Sequence, residues 1–128
     1  MTPELTFLVY SIILTFALIL VPAAVSILAN GLTAQAGARD DLPEPSAFNQ
    51  RCVRLRNNML ENMVMFTGLV LVANAAEIST ANTVLGAQIF FFARVVHAGI
   101  YIAGFPLVRP LAWFASVIGM AMIALELL

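Results

Sequence analysis

Arg51, Arg54, Asn58 and Glu61 recur at i, i+3, i+7 and i+10, and Arg94, His97 and Tyr101 recur at i, i+3 and i+7. On helices, each set climbs one face as a ladder of polar groups. The first ladder lies in Arg51–Met63, RCVRLRNNMLENM, which holds three arginines, three asparagines and a glutamate in a chain that otherwise avoids charge. Every fixed positive charge is an arginine, the side chain suited to bidentate recognition of carboxylates. Directly after the ladder comes MVMFTGLVLVANAA, without a charge until Glu77. A charge carried into a bilayer costs about 2.5 to 3.5 kcal/mol at mid-helix on insertion scales, so such residues usually mark function.

The elements that must hold these ladders are membrane helices. The 62% hydrophobic content and the mean hydropathy of +0.97 exclude an ordinary soluble globule. At 128 residues the chain is one domain, and its net charge of -1 offers no basic surface for nucleic acid. One cysteine, Cys52, excludes an internal disulfide, and one histidine, His97, excludes a multi-ligand Cys/His metal site within the chain. Cys52 reads as an inert thiol.

Four spans are expected, at about 5–28, 47–75, 82–103 and 109–128, with one long polar loop over 30–46. Pro22 is expected to kink the first span, which membrane helices tolerate. The second span is longer than the hydrocarbon core needs, so its arginine-rich start projects from it. Pro110 suits the first turn of the last span. Arg39, Arg51, Arg54, Arg56 and Arg109 then belong to the side of loops one and three, while the other side shows Glu4, Glu77 and Glu126. The positive-inside rule makes those two loops cytoplasmic and leaves both termini outside.

Counted from the outer ends of their helices, Glu61 lies ~21 Å deep and Arg94 ~18 Å deep. Asn58 and His97 follow three residues on, and Arg54 and Tyr101 seven residues on. Two ladders of equal spacing on antiparallel helices can enclose a polar cavity open to the cytoplasm. In the plainer structural alternative, Glu61 pairs with Arg94, and the asparagines and His97 are interhelical hydrogen-bond glue.

The pattern of Arg51, Arg54, Asn58, Glu61 and Asn62, with Arg94, His97, Tyr101 and Arg109, resembles the MAPEG family of membrane-associated proteins in eicosanoid and glutathione metabolism. The resemblance is closest to the microsomal glutathione transferase and bacterial branch. It implies an all-α fold, a four-helix transmembrane bundle assembled as a homotrimer, with glutathione bound as co-substrate between subunits near the cytoplasmic face. It further implies that Arg51, Arg54, Asn58, Glu61, Arg94, His97 and Tyr101 bind glutathione, and that Arg109 stands by the thiol as the catalytic residue.

Asn57 stands where the prostaglandin synthase branch has a further arginine, Pro110 where it has serine and Trp113 where it has tyrosine. The interval from Arg94 to Arg109 is also one residue shorter. These departures point to a general transferase or peroxidase acting on lipophilic electrophiles or lipid hydroperoxides, in a detoxifying role and not an eicosanoid-specific one. The alternatives are a non-catalytic lipid-binding or regulatory protein of the same fold, and a small transporter. A bacterial inner membrane is the expected location.

Overall fold

The computed structural model describes residues 1–128 and is entirely helical: α1 (Pro3–Asn30), α2 (Leu32–Ala36), α3 (Ala47–Ala75), α4 (Ala81–Ala103) and α5 (Arg109–Glu126). Each boundary has a local cause. The Thr2 hydroxyl caps α1 by accepting from the Leu5 N–H, and Pro3 fills a first-turn position that needs no N–H. The Ser46 hydroxyl caps α3 by accepting from the Asn49 N–H at 3.1 Å. Thr80 and Thr83 exchange side-chain and backbone hydrogen bonds in a capping box at the start of α4. At its far end Gly104, at φ 84°, adopts the left-handed conformation that stops the helix.

Three helices, α1, α4 and α5, are long and apolar enough by length and composition to cross a membrane. The 29-residue α3 is the longest helix, and its polar ladder lowers its hydropathy. The polar loop contains one more element than its composition announces, the single-turn α2, which follows Gly31 at φ 84°.

α1 packs mainly on α3, and α4 mainly on α5, while α4 also touches α1 and α3. The resulting core lies on the inner faces of α3 and α4. Phe66 and Phe90 stack there with ring centroids 3.8 Å apart, within a buried apolar cluster that also includes Leu55, Met59, Val70, Ala87 and Ile123. Only 27 of 128 residues are buried, and large apolar side chains such as Ile13, Phe16, Val64, Phe92 and Phe114 face outward. In water that surface would be an aggregation liability; in lipid it is the expected exterior.

The end remote from the arginines is tied by polar contacts. The buried Glu4 carboxylate accepts from the Ser79 hydroxyl at 3.0 and 3.2 Å and from the Thr83 hydroxyl. Asn82 Nδ2 donates to Glu126 Oε1 at 2.8 Å. These bonds fix the start of α4 to the start of α1 and the end of α5, so α4 is held in position before it carries its ladder toward the other end.

Candidate functional site

A cavity of about 530 Å³ opens at the arginine-bearing end, between α3, α4 and α5. From α3 it receives Arg54, Asn57, Asn58 and Glu61; from α4, His97 and Tyr101; from α5, Arg109, Pro110 and Trp113. The turn of α3 places Arg54, Asn58 and Glu61 along one side because residues three and four apart share a helix face. The turn of α4 does the same for His97 and Tyr101. Pro110, within the first turn of α5, starts that helix where Arg109 can reach back over α4.

Tyr101 organises two of the cations. Its hydroxyl accepts from Arg54 Nε at 3.3 Å, and its ring lies beneath the Arg109 guanidinium, 5.1 Å from ring centroid to Cζ. One phenol thereby holds guanidinium groups of two helices at the cavity wall, with their remaining donors available to an anion. The His97 ring packs against Tyr101 at 5.5 Å, and its Nδ1 is buried without a protein partner.

Arg94 lies behind this wall. It is 1% exposed, and its Nη2 donates to Asn58 Oδ1 at 2.6 Å, while Nε and Nη1 have no protein acceptor. The pairing of Glu61 with Arg94 does not form. Residues three apart are turned by about 60° around a helix, so with Asn58 on the α3–α4 seam, Glu61 is swung off it to the open side of the cavity. Arg94 therefore acts on the cavity through Asn58: by occupying Oδ1 it fixes which end of that amide is free.

Arg51 lies outside the main cavity. With Arg54, Tyr101, Gly104 and Arg109 it lines an adjoining cleft of about 80 Å³, with its Cζ 5.8 Å from the Phe48 ring centroid and its Nε buried without a partner. Of the eight residues expected at the site, six line the main cavity, Arg51 lines its annex and Arg94 supports it from behind. Asn57, Pro110 and Trp113 complete the lining; the sequence marked all three only as departures from a pattern. Cys52 is buried on the far side of α3 among core residues and lines neither space.

The chemistry of this lining is legible without a ligand. Arg54 and Arg109, with Arg51 from the annex, supply forks for carboxylates, Glu61 supplies a counter-charge for an ammonium, and Tyr101, Asn57 and Asn58 supply neutral hydrogen-bonding groups. The volume falls within the ~300–1,000 Å³ of small-molecule sites. No cluster of three or more His, Cys, Asp or Glu side chains that could hold a metal ion exists in the chain.

Comparison with known proteins gives one match. The family model for the MAPEG family covers residues 5–128. No curated protein and no solved structure matches the chain.

Proposed function

The chain belongs to the MAPEG family, and on that premise we propose that it is a membrane-bound glutathione transferase, with glutathione-dependent peroxidase activity as a second use of the same thiolate. The observation that carries this reading is the convergence of Arg54, Asn58 and Glu61 of α3 with His97 and Tyr101 of α4 and Arg109 of α5 on one cavity. Glutathione presents two carboxylates, one ammonium and one thiol. Arg54 and Arg51 suit the carboxylates, Glu61 the ammonium, and Arg109 the sulfur.

The activating step is electrostatic. A thiol with pKa near 8.5 is mostly protonated at neutral pH, and bringing it to about 6.5 requires about 2.7 kcal/mol of preferential thiolate stabilisation. A single charge-assisted hydrogen bond contributes about 1.5 to 3 kcal/mol, so Arg109 nearly suffices. Tyr101 is then a positioning residue, because its ring sets where the Arg109 guanidinium lies. The thiolate attacks an electrophilic carbon, forming a C–S bond as the leaving group departs with the electron pair of the broken bond. Alternatively it attacks the outer oxygen of a lipid hydroperoxide, breaking the O–O bond to release the lipid alcohol and a glutathione sulfenic acid. A second glutathione converts the sulfenic acid to disulfide and water. The lipophilic partner enters sideways from the bilayer.

In the proposed assembly the four long helices span the membrane, and three copies associate so that each cavity is closed by a neighbour. The arginine-bearing end faces the cytoplasm and both termini face outward, in a bacterial inner membrane.

The test is the ultraviolet thiolate absorbance of detergent-purified protein titrated with glutathione. Wild type is expected to give a saturable signal, and Arg109→Ala to lose it while still binding glutathione by calorimetry. Absence of both thiolate and binding in the wild type would overturn the transferase reading.

A further inference from the structure

A second pair of cavities lies on the opposite side of α3, where α1 passes Pro22 and meets α2. The first, of about 290 Å³, has an apolar floor that includes Pro22 and Val53, and a polar wall of Ser26, Gln35, Arg39 and Arg56. The second, of about 570 Å³, shares Ser26 and Gln35 with the first and adds Glu44 and Asn49. The two are therefore neighbours across a common wall, one carrying two cations and the other a carboxylate.

The donors and acceptors are left open by the protein. Arg39 Nε donates to the Gln35 carbonyl at 2.7 Å, which fixes the side chain over α2 and leaves its terminal nitrogens unbonded. Arg56 gives Nε and Nη2 to Asn57 Oδ1 at 3.2 and 3.1 Å and keeps Nη1. Neither guanidinium is hydrogen-bonded to a carboxylate. In the second cavity Asn49 is 4% exposed; its Nδ2 is used by Ser26 Oγ at 2.9 Å, and its Oδ1 is buried with no partner. An unsatisfied buried acceptor calls for a donor.

Depth decides what kind of molecule reaches this place. Pro22 and Arg56 each lie 19 residues from the remote ends of their helices, Pro3 and Ala75, which is ~28 Å at 1.5 Å per residue. A hydrocarbon core is ~30 Å thick, so the cavities open at the level of lipid headgroups. Charge then decides which headgroup. Glu44 lines the second cavity, and a purely anionic group reaching across both would meet its repulsion. A zwitterion with an adjacent primary ammonium would not.

We infer that Arg39 and Arg56 hold the phosphate of a phosphatidylethanolamine-type lipid while Glu44 and Asn49 Oδ1 receive its ammonium. Arginine forks suit the phosphodiester, and the ammonium N–H groups supply the donor that Asn49 lacks. The apolar floor beside Pro22 takes the glycerol end. The site touches the glutathione cavity only through the Arg56–Asn57 bond and uses none of that cavity's lining residues itself, so its lipid preference is read separately from the transferase reading.

The test is native mass spectrometry of the full chain in uncharged detergent. It is offered phosphatidylethanolamine, phosphatidylcholine or phosphatidylglycerol of identical acyl chains, and separately inorganic phosphate. Phosphatidylethanolamine is expected to be retained about tenfold over the other two, the ratio that 1.4 kcal/mol represents. Arg39→Gln is expected to reduce that retention about tenfold. Glu44→Gln is expected to remove the preference over phosphatidylcholine, whose quaternary ammonium has no N–H to give. Both positions are exposed, so the variants are expected to melt as wild type does. Equal retention of the three lipids, an unchanged phosphatidylethanolamine adduct in both variants, or displacement of the lipid by inorganic phosphate would overturn the inference.

Discussion

Arg94 is almost wholly buried, yet its guanidinium makes a single hydrogen bond, to Asn58 Oδ1 at 2.6 Å. A buried ionised group with one neutral partner is held by geometry more than by charge pairing, and removing that partner leaves it uncompensated. Asn58→Ala is therefore expected to destabilise the protein by about 1.5 to 3 kcal/mol, the range for a hydrogen bond to a charged group. Replacing both groups by apolar side chains of similar size, Arg94→Met with Asn58→Leu, is expected to restore stability to wild type or above, because the desolvation penalty disappears with the charge. Glutathione binding would remain lost in the double variant, since the amide that Arg94 orients faces the cavity. Thermal unfolding in detergent with glutathione calorimetry on wild type, Arg94→Met, Asn58→Leu and the double variant completes the cycle. A double variant as unstable as Asn58→Ala would show that Arg94 holds the fold through contacts other than this bond.

At the scale of elements, the α4–α5 pair depends on two glycines. A Cβ on Gly86 would lie 2.6 Å from the Gly119 carbonyl oxygen, and one on Gly119 would lie 2.6 Å from the Gly86 carbonyl oxygen and 2.8 Å from the Phe90 nitrogen. Both obstacles are backbone, so the helices must separate to admit a methyl group. Small residues of this kind let membrane helices approach closely. Gly86→Ala and Gly119→Ala are each expected to lower stability by about 1 to 3 kcal/mol or more, and to weaken thiolate formation because α5 carries Arg109. Gly68→Ala, where nothing lies within 4 Å, is the matched control and is expected to be neutral or slightly stabilising. What the sequence made legible divides along the same line. Local periodicity exposed the long helices, and the ladder spacing grouped Arg54, Asn58, Glu61, His97 and Tyr101, because faces repeat every three to four residues. Contacts set by how helices rotate and stagger were not legible. Arg94 chooses Asn58 over Glu61 through a 60° turn of α3, and Glu4 meets Thr83 across 79 residues of sequence. The turn of α2 was hidden because five residues are too few to show a period.

The molecule as a whole leaves its most polar face uncovered. Glu61, Arg54 and Arg109 are all exposed on the single chain, and Glu61 lies ~21 Å from the remote end of α3, within a ~30 Å hydrocarbon core. Lipid tails cannot solvate a carboxylate at that depth. Such a carboxylate needs protein or a water-filled cavity beside it, and in the proposed homotrimer a second copy of the same chain covers this face. If so, the site is incomplete in one protomer, and ligand binding and assembly are thermodynamically linked. Sedimentation in mild detergent is expected to give three chains of 13.8 kDa each. Dilution or harsher detergent that yields monomers is expected to weaken glutathione binding by at least tenfold, about 1.4 kcal/mol, and added glutathione is expected to shift the equilibrium back toward trimer by the same linkage. Monomers that bind glutathione with undiminished affinity would show that one chain completes the cavity. The polar face of α3 would then have to be shielded by something other than a neighbour.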